Sequence, residues 1–218
     1  MPLDYSQKNQ EYFESSRQDI LALVPNSTKT ILDVGCGQGN FLKATKEKLE
    51  NLQTWGVELE KNSFEQAKTK VDKIFLGTIE ENLQNLPDNY FDCITFNDVL
   101  EHLVDPYSVL EKIKPKLSKD GFLITSIPNI FNFKILQMLI QKRDWKYENE
   151  GIMDKTHLRF FTEKSQKRMF EEAGFEVLKI QGIGKTTSFK FRIFNILTLG
   201  FFGQTAYSQY IMVCKPKF

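Results

Sequence analysis

The chain has 218 residues, of which 41% are hydrophobic and 26% charged, and its formal net charge is +1. That length supports one domain with a full core, and the composition excludes a disordered or fibrous chain. The near-zero charge excludes a global basic field for holding nucleic acid, and no uncharged apolar run reaches the roughly 18 residues that suggest a membrane span.

The first residues are polar and lack the basic-then-apolar layout of a signal peptide. Residues 1–27 read as an amphipathic N-terminal helical cap. Tyr12, Phe13 and Arg17 are spaced to put two or three of them on one helical face, where Tyr12 and Arg17 could close over a bound cofactor. Plain packing of that face is the other reading.

From residue 30 strand-like and helix-like segments alternate. A first strand is predicted over 30–34 and a helix over 40–51, with Phe41, Leu42, Thr45 and Leu49 at helical spacing. A second strand follows at 53–59, a helix at 61–70 and a third strand at 71–77. A fourth strand covers 90–97, and a helix over 105–117 has Pro106 near its start. The fifth strand covers 121–128. Thr162 is a predicted cap for the next helix, with Glu163 in its first turn and Gly174 closing it. Strands at 175–182 and 209–215 complete the set.

This alternation predicts a mostly parallel α/β sheet with helices on both faces, and a ligand site at the carboxyl ends of the strands. Two aromatic-rich segments, 129–161 and 183–208, break the rhythm and read as lid-like insertions. No repeat or low-complexity linker divides the chain, so a single domain over 1–218 is expected. Cys36, Cys93 and Cys214 are far apart and in no metal-ligand spacing, so no metal site is expected. Unpaired cysteines in predicted strands suggest a reducing compartment and hence a cytoplasmic location.

The stretch ILDVGCGQGN, residues 31–40, carries the first chemistry. A buried strand ends in an acid, Asp33, and enters a turn with glycine at 35, 37 and 39. Such a turn presses its backbone against a ligand. Glu58 ends the second strand, nineteen residues after Gly39. An acid at that place can accept hydrogen bonds from both ribose hydroxyls. A pyrophosphate prefers neutral or positive surroundings; Asp33 instead suits a cofactor carrying an ammonium and a sulfonium.

ILDVGCGQG resembles the first motif of the class I S-adenosylmethionine (SAM)-dependent methyltransferases, and the resemblance continues in order from about residue 28 to 182. WGVELEKNSFEQAK is similar to the second motif, with Glu58 as the ribose acid. IFLGTIEENL occupies the adenine segment, where the resemblance implies that Thr78 and Ile79 flank the ring. The acid common after that glycine is here Thr78, so Glu80 substitutes or the contact is through backbone. FDCITFNDVLEHLVDP resembles the fourth motif, implying a contact from Asn97 to the methionine part of SAM, with Asp98 and Val99 close by. The resemblance further implies a Rossmann-like three-layer sandwich, its seven-stranded sheet mostly parallel with the last strand antiparallel. DKTHLRFFTEKSQKRMFEEAGFEV resembles a stretch of the type-11 and type-23 groups, most of all their surface-glycan and O-antigen-associated members.

Methyl transfer from a sulfonium is an in-line displacement, and a hydroxyl acceptor must also lose its proton. The chain has two histidines. His157, near Asp154 as a possible orienting partner, is the first base candidate, and His102, beside Glu101, the second. Either could instead serve packing or capping. The expected cofactor is SAM, with S-adenosylhomocysteine (SAH) as product, and the expected reaction is O-methylation of a sugar, a glycan precursor or another small molecule. A non-catalytic SAM-binding protein and an NAD-dependent oxidoreductase are the rivals. Nucleic acid is not an expected partner, and no N/D-P-P-Y/F motif follows the fourth strand. The segment FKFRIFNILTLGFFGQTAY, 189–207, is flanked by Lys185, Lys190 and Arg192. It could be a lid, a dimer surface, a membrane or lipid-linked-substrate dock, or a helix buried on the core.

Overall fold

The computed structural model describes residues 17–217. Tyr12, Phe13 and most of the expected N-terminal cap lie outside the described residues. The described chain begins with the short helix α1 (Gln18–Leu21), followed by β1 (Thr30–Val34), α2 (Asn40–Lys48), β2 (Gln53–Glu58), α3 (Lys61–Ala67) and β3 (Lys73–Leu76). Next come α4 (Ile79–Asn82), β4 (Phe91–Asn97), α5 (Pro106–Ile113) and β5 (Leu117–Pro128). The last elements are α6 (Phe133–Gln137), α7 (Glu163–Glu172), β6 (Phe175–Ile183), α8 (Phe189–Leu197) and β7 (Gln209–Pro216).

The seven strands form one sheet in the order β3-β2-β1-β4-β5-β7-β6. β1 to β5 pair in parallel, and β7 runs antiparallel to both β5 and β6. The architecture is therefore the expected Rossmann-like sandwich with an antiparallel last strand. Alternation along each strand sends side chains to opposite faces. Leu32, Ile94, Leu123 and Met212 pack on one face with Leu110 of α5 and Phe170 of α7. Ile31, Cys93, Ile124 and Ile211 pack on the other with Ile20, Leu42 and Ala67 of α1 to α3. All three cysteines are buried thiols, the small apolar role expected of them.

Local chemistry explains the helix ends. Glu60 caps α3 by accepting from the Asn62 and Ser63 amides, Asp105 caps α5 at the Ser108 amide, and Thr162 caps α7 at the Ser165 amide. Gly174 follows α7 with φ of 81°, a conformation that costs glycine no steric penalty. The helix expected over 105–117 stops at Ile113 and tightens into a 3-10 turn over 114–116, where Pro115 has no N–H to continue the ladder. β5 begins at Leu117, four residues before its expected start, because Leu117 pairs with Phe91 ahead of a bulge. The expected strand 71–77 shortens to Lys73–Leu76: Asp72 turns its side chain to accept from the Thr54 amide and hydroxyl, both at 2.9 Å.

The two insertions pack on each other. Asn129 and Asn132 each donate a side-chain N–H to the Tyr207 carbonyl at 3.0 Å. Phe133 of α6 meets Phe191 and Phe194 of α8 with ring centroids 5.4 and 5.2 Å apart. Only Phe191 of α8 is buried, so the reading of that segment as a helix sunk in the core is corrected: six large apolar residues of the helix and the turn after it, within 189–201, are exposed. Among the described residues no helix is long and apolar enough to cross a membrane.

Candidate active site

The strand order reverses between β1 and β4, and the crevice at their carboxyl ends is the place where such sheets bind ligands. Asp33 of β1 is buried there. Its Oδ1 accepts from the Thr95 hydroxyl at 2.6 Å and from Asn97 Nδ2 at 3.0 Å, which ties β1 to β4. Burial is the main influence on Asp33; it raises the carboxyl from its ordinary 3.8 to about 7, helped by the nearby Glu58 charge and opposed by the Thr95 hydrogen bond.

The glycine turn follows. Gly35 donates to the Val57 carbonyl at 2.8 Å and has φ of 71°. A Cβ added to Gly35 would stand 2.5 Å from Val99 Cγ2, so only glycine lets the loop after β4 come this close. Glu58 spans the turn: one oxygen accepts from the Gly37 amide and the other from the Glu60 amide, both at 2.7 Å. Burial also raises the Glu58 carboxyl above its usual range, against the pull of those two amides. Thr78 and Ile79 lie just after β3 on the same edge. Thr78 forms a capping box with Glu81, and Ile79 is buried. Glu80 is exposed.

Arg17 reaches this edge from the start of the described chain. Its guanidinium donates to Asp98 Oδ2 at 2.6 Å and to Asp19 at 3.2 Å. Asp98 also accepts from Gln209 at 2.7 Å and adopts a left-handed backbone with φ of 57°. The described contacts of Arg17, expected to close over a cofactor, are thus to two carboxylates of the protein.

The residues present fit SAM. Asp33, Gly35, Gly37, Glu58, Thr78, Ile79 and Asn97 all lie along one edge of the sheet. Asn97 Oδ1 is buried and accepts no hydrogen bond among the described residues, while its Nδ2 is committed to Asp33. An unmet acceptor beside a carboxylate suits an ammonium donor.

A second cluster lies just past β4. Glu101, His102 and His157 are all buried, and one ligating atom from each lies within 4.8 Å of the others. Backbone hydrogen bonds assemble it: the Leu158 and Arg159 amides both donate to the Glu101 carbonyl, at 2.9 and 3.0 Å, and so bring the end of the first insertion onto β4. His102 Nδ1 sits 3.0 Å from the Thr156 carbonyl, and His157 Nδ1 sits 3.1 Å from the Ile152 carbonyl. A carbonyl oxygen only accepts, so each Nδ1 carries a proton. The Glu101 carboxylate stands 3.9 Å from His157 Nε2. The two imidazoles meet edge to face, with centroids 4.8 Å apart.

One oxygen of the Asp154 carboxylate, the acid expected to orient His157, accepts from the Thr156 amide at 2.9 Å and hydroxyl at 2.7 Å; Glu101 is a second acid that faces the His157 ring. One carboxylate and two imidazole nitrogens are also a donor set of the kind that takes zinc or ferrous iron. Sequence spacing gives no sign of that set, because His157 comes from a distant insertion.

A Rossmann-like sheet with a glycine turn after β1 and buried acids near the carboxyl ends of β1 and β2 is the arrangement expected of a SAM-dependent methyltransferase. The family model described as "Methyltransferase domain", type 23, matches residues 5–180, and the chain belongs to that family. A SAM-dependent methyltransferase from Archaeoglobus fulgidus superposes with a TM-score of 0.68 at 21% identity, covering 97% of this chain and 100% of that one. One from Mesorhizobium loti gives 0.63 at 14% identity, covering 94% and 99%. The protein named ubiquinone biosynthesis O-methyltransferase in Vibrio atlanticus is 29% identical over 164 residues, which are 71% of this chain and 66% of that protein. Its namesake in Actinobacillus pleuropneumoniae is 32% identical over 110 residues, 46% of each chain. The chain thus spans less than two thirds of the length of the curated relatives it matches, narrowly so for the first. The chain thus carries the domain of a methyltransferase family whose structural neighbours are named for SAM dependence, and the oxidoreductase reading falls.

Proposed function

We propose that the protein methylates a hydroxyl group on a ring-bearing small acceptor. The observation that supports this reading is the Glu101–His102–His157 cluster, which brings two imidazoles and a carboxylate together just past β4. Bound SAM supplies an electrophilic methyl group on a sulfonium. With SAM held at the β1–β4 crevice as methyl donor, and SAH as the product, His157 Nε2 would take the proton that the acceptor hydroxyl loses. The Glu101 carboxylate stabilises the imidazolium so formed. Beside His157, Phe160 lies 6.1 Å away between centroids, and Trp145 meets Phe160 at 5.1 Å. Trp145 and Tyr147 are partly open to solvent. Such faces suit a flat or cyclic acceptor, whether a quinol or a sugar. The names of the curated relatives add weight to oxygen as the methylated atom.

The test is transfer of radiolabelled methyl from SAM into a lysate separated into lipid, polysaccharide, small-molecule, protein and nucleic-acid fractions. Label in any of the first three that survives alkali and is released as methyl iodide by hydriodic acid supports a methyl ether. Label confined to protein or nucleic acid refutes the acceptor class. Repeating the transfer with EDTA separates direct proton uptake by His157 from action through a cation on the same three groups.

A further inference from the structure

The surface formed by α8 and the turn after it has no part in the site above. Phe189, Ile193, Ile196 and Leu197 fall at i, i+4, i+7 and i+8, one face of the helix. All four are exposed. The opposite face carries Phe191 and Phe194, which pack on Phe133. Beyond the helix, Leu199 is 95% and Phe201 80% exposed. A folded soluble surface rarely leaves so many large apolar side chains together in water.

The charges carried by α8 and by the segment leading into it have one sign. Lys190 and Arg192 flank the apolar stripe on its two sides, and Lys185 precedes it; all three are exposed. No Asp or Glu occurs anywhere after Glu176. Across the Phe133 contact, the turn Met138–Lys142 presents an exposed Ile140 and ends in Lys142 and then Arg143, both exposed. A second protein copy would place like charges against each other, whereas an anionic lipid surface complements them.

We propose that α8 and the turn through Phe201 dock the enzyme on an anionic phospholipid bilayer. The apolar stripe enters the boundary between headgroups and acyl chains, and the flanking cations meet lipid phosphates. The docking needs no knowledge of the methyl acceptor and stands apart from the O-methylation reading.

The test is cosedimentation of the whole protein with vesicles of equimolar phosphatidylcholine and phosphatidylglycerol. Wild type is expected to pellet with these, to bind phosphatidylcholine alone at least tenfold more weakly, and to release as salt rises. The Leu199→Ser/Phe201→Ser double variant and the Lys190→Glu/Arg192→Glu double variant are each expected to lose at least tenfold in binding while keeping wild-type SAH affinity, which reports a folded core. Wild-type protein that stays in the supernatant overturns the proposal. So does equal binding by both double variants, or a wild-type dimer in sedimentation equilibrium that the serine variant abolishes without any vesicle binding.

Discussion

Asp33 couples cofactor binding to pH. In the free protein burial holds its carboxyl at about 7 against an ordinary 3.8. The sign follows from which state holds the proton. Folded protein binds the proton more tightly than unfolded chain, so stability is unaffected below about pH 3.8, falls as pH rises through the interval, and levels off above about pH 7. At 1.36 kcal/mol per unit the penalty is at most about 4 kcal/mol, and it disappears when Asp33 becomes Asn. The Asp33→Asn protein is therefore expected to melt higher than wild type at pH 8, with the advantage shrinking toward pH 4. A bound ammonium favours the ionised carboxylate, so binding below pH 7 must expel a proton. Wild-type affinity for SAH is then expected to weaken about tenfold from pH 8 to pH 6. Calorimetry in two buffers of different ionisation enthalpy reads the released proton directly, and Asp33→Asn binds weakly with no such slope. An SAH affinity that is flat between pH 6 and 8, or a slope that persists in Asp33→Asn, would show that Asp33 does not sense the ammonium.

Three further outcomes check the site. Gly35→Ala meets Val99 Cγ2 at 2.5 Å in a positive-φ conformation and should lower stability by about 1–3 kcal/mol; adding Val99→Ala relieves the clash but not the backbone strain, so denaturant melts should recover only partly. Glu58→Gln turns an amide N–H toward one of the two amide donors it now accepts from. It should cost about 1–3 kcal/mol of stability and abolish SAH binding at concentrations that saturate wild type, and normal binding would displace Glu58 from the ribose. His157→Asn should lower kcat about 100- to 10,000-fold with SAH affinity unchanged, and Glu101→Gln should lower it less, since Glu101 stabilises the cation rather than taking the proton; equal loss of SAH affinity in both variants would move the cluster from the acceptor to the donor site.

The strands and the cofactor edge are legible in the sequence because their logic is local. The apolar run of Thr30–Val34 ends in an acid before alternate glycines, and the parallel neighbour ends in Glu58; a strand followed by a tight turn places such residues at one end of a sheet wherever the rest of the chain goes. Caps at Thr162 and Gly174 are local for the same reason. What tertiary structure alone decides depends on contacts without a sequence spacing. Glu101 faces His157 because two backbone amides, at Leu158 and Arg159, bond to the Glu101 carbonyl, and a backbone donor carries no side-chain signature. Asp154 is the nearer acid in the chain, and Thr156 engages one of its oxygens. In α8 phenylalanine occurs on both faces, so hydropathy by itself leaves core and surface equivalent. The packing of Phe133 against Phe191 and Phe194 chooses which face is covered and leaves Phe189, Leu199 and Phe201 in contact with solvent.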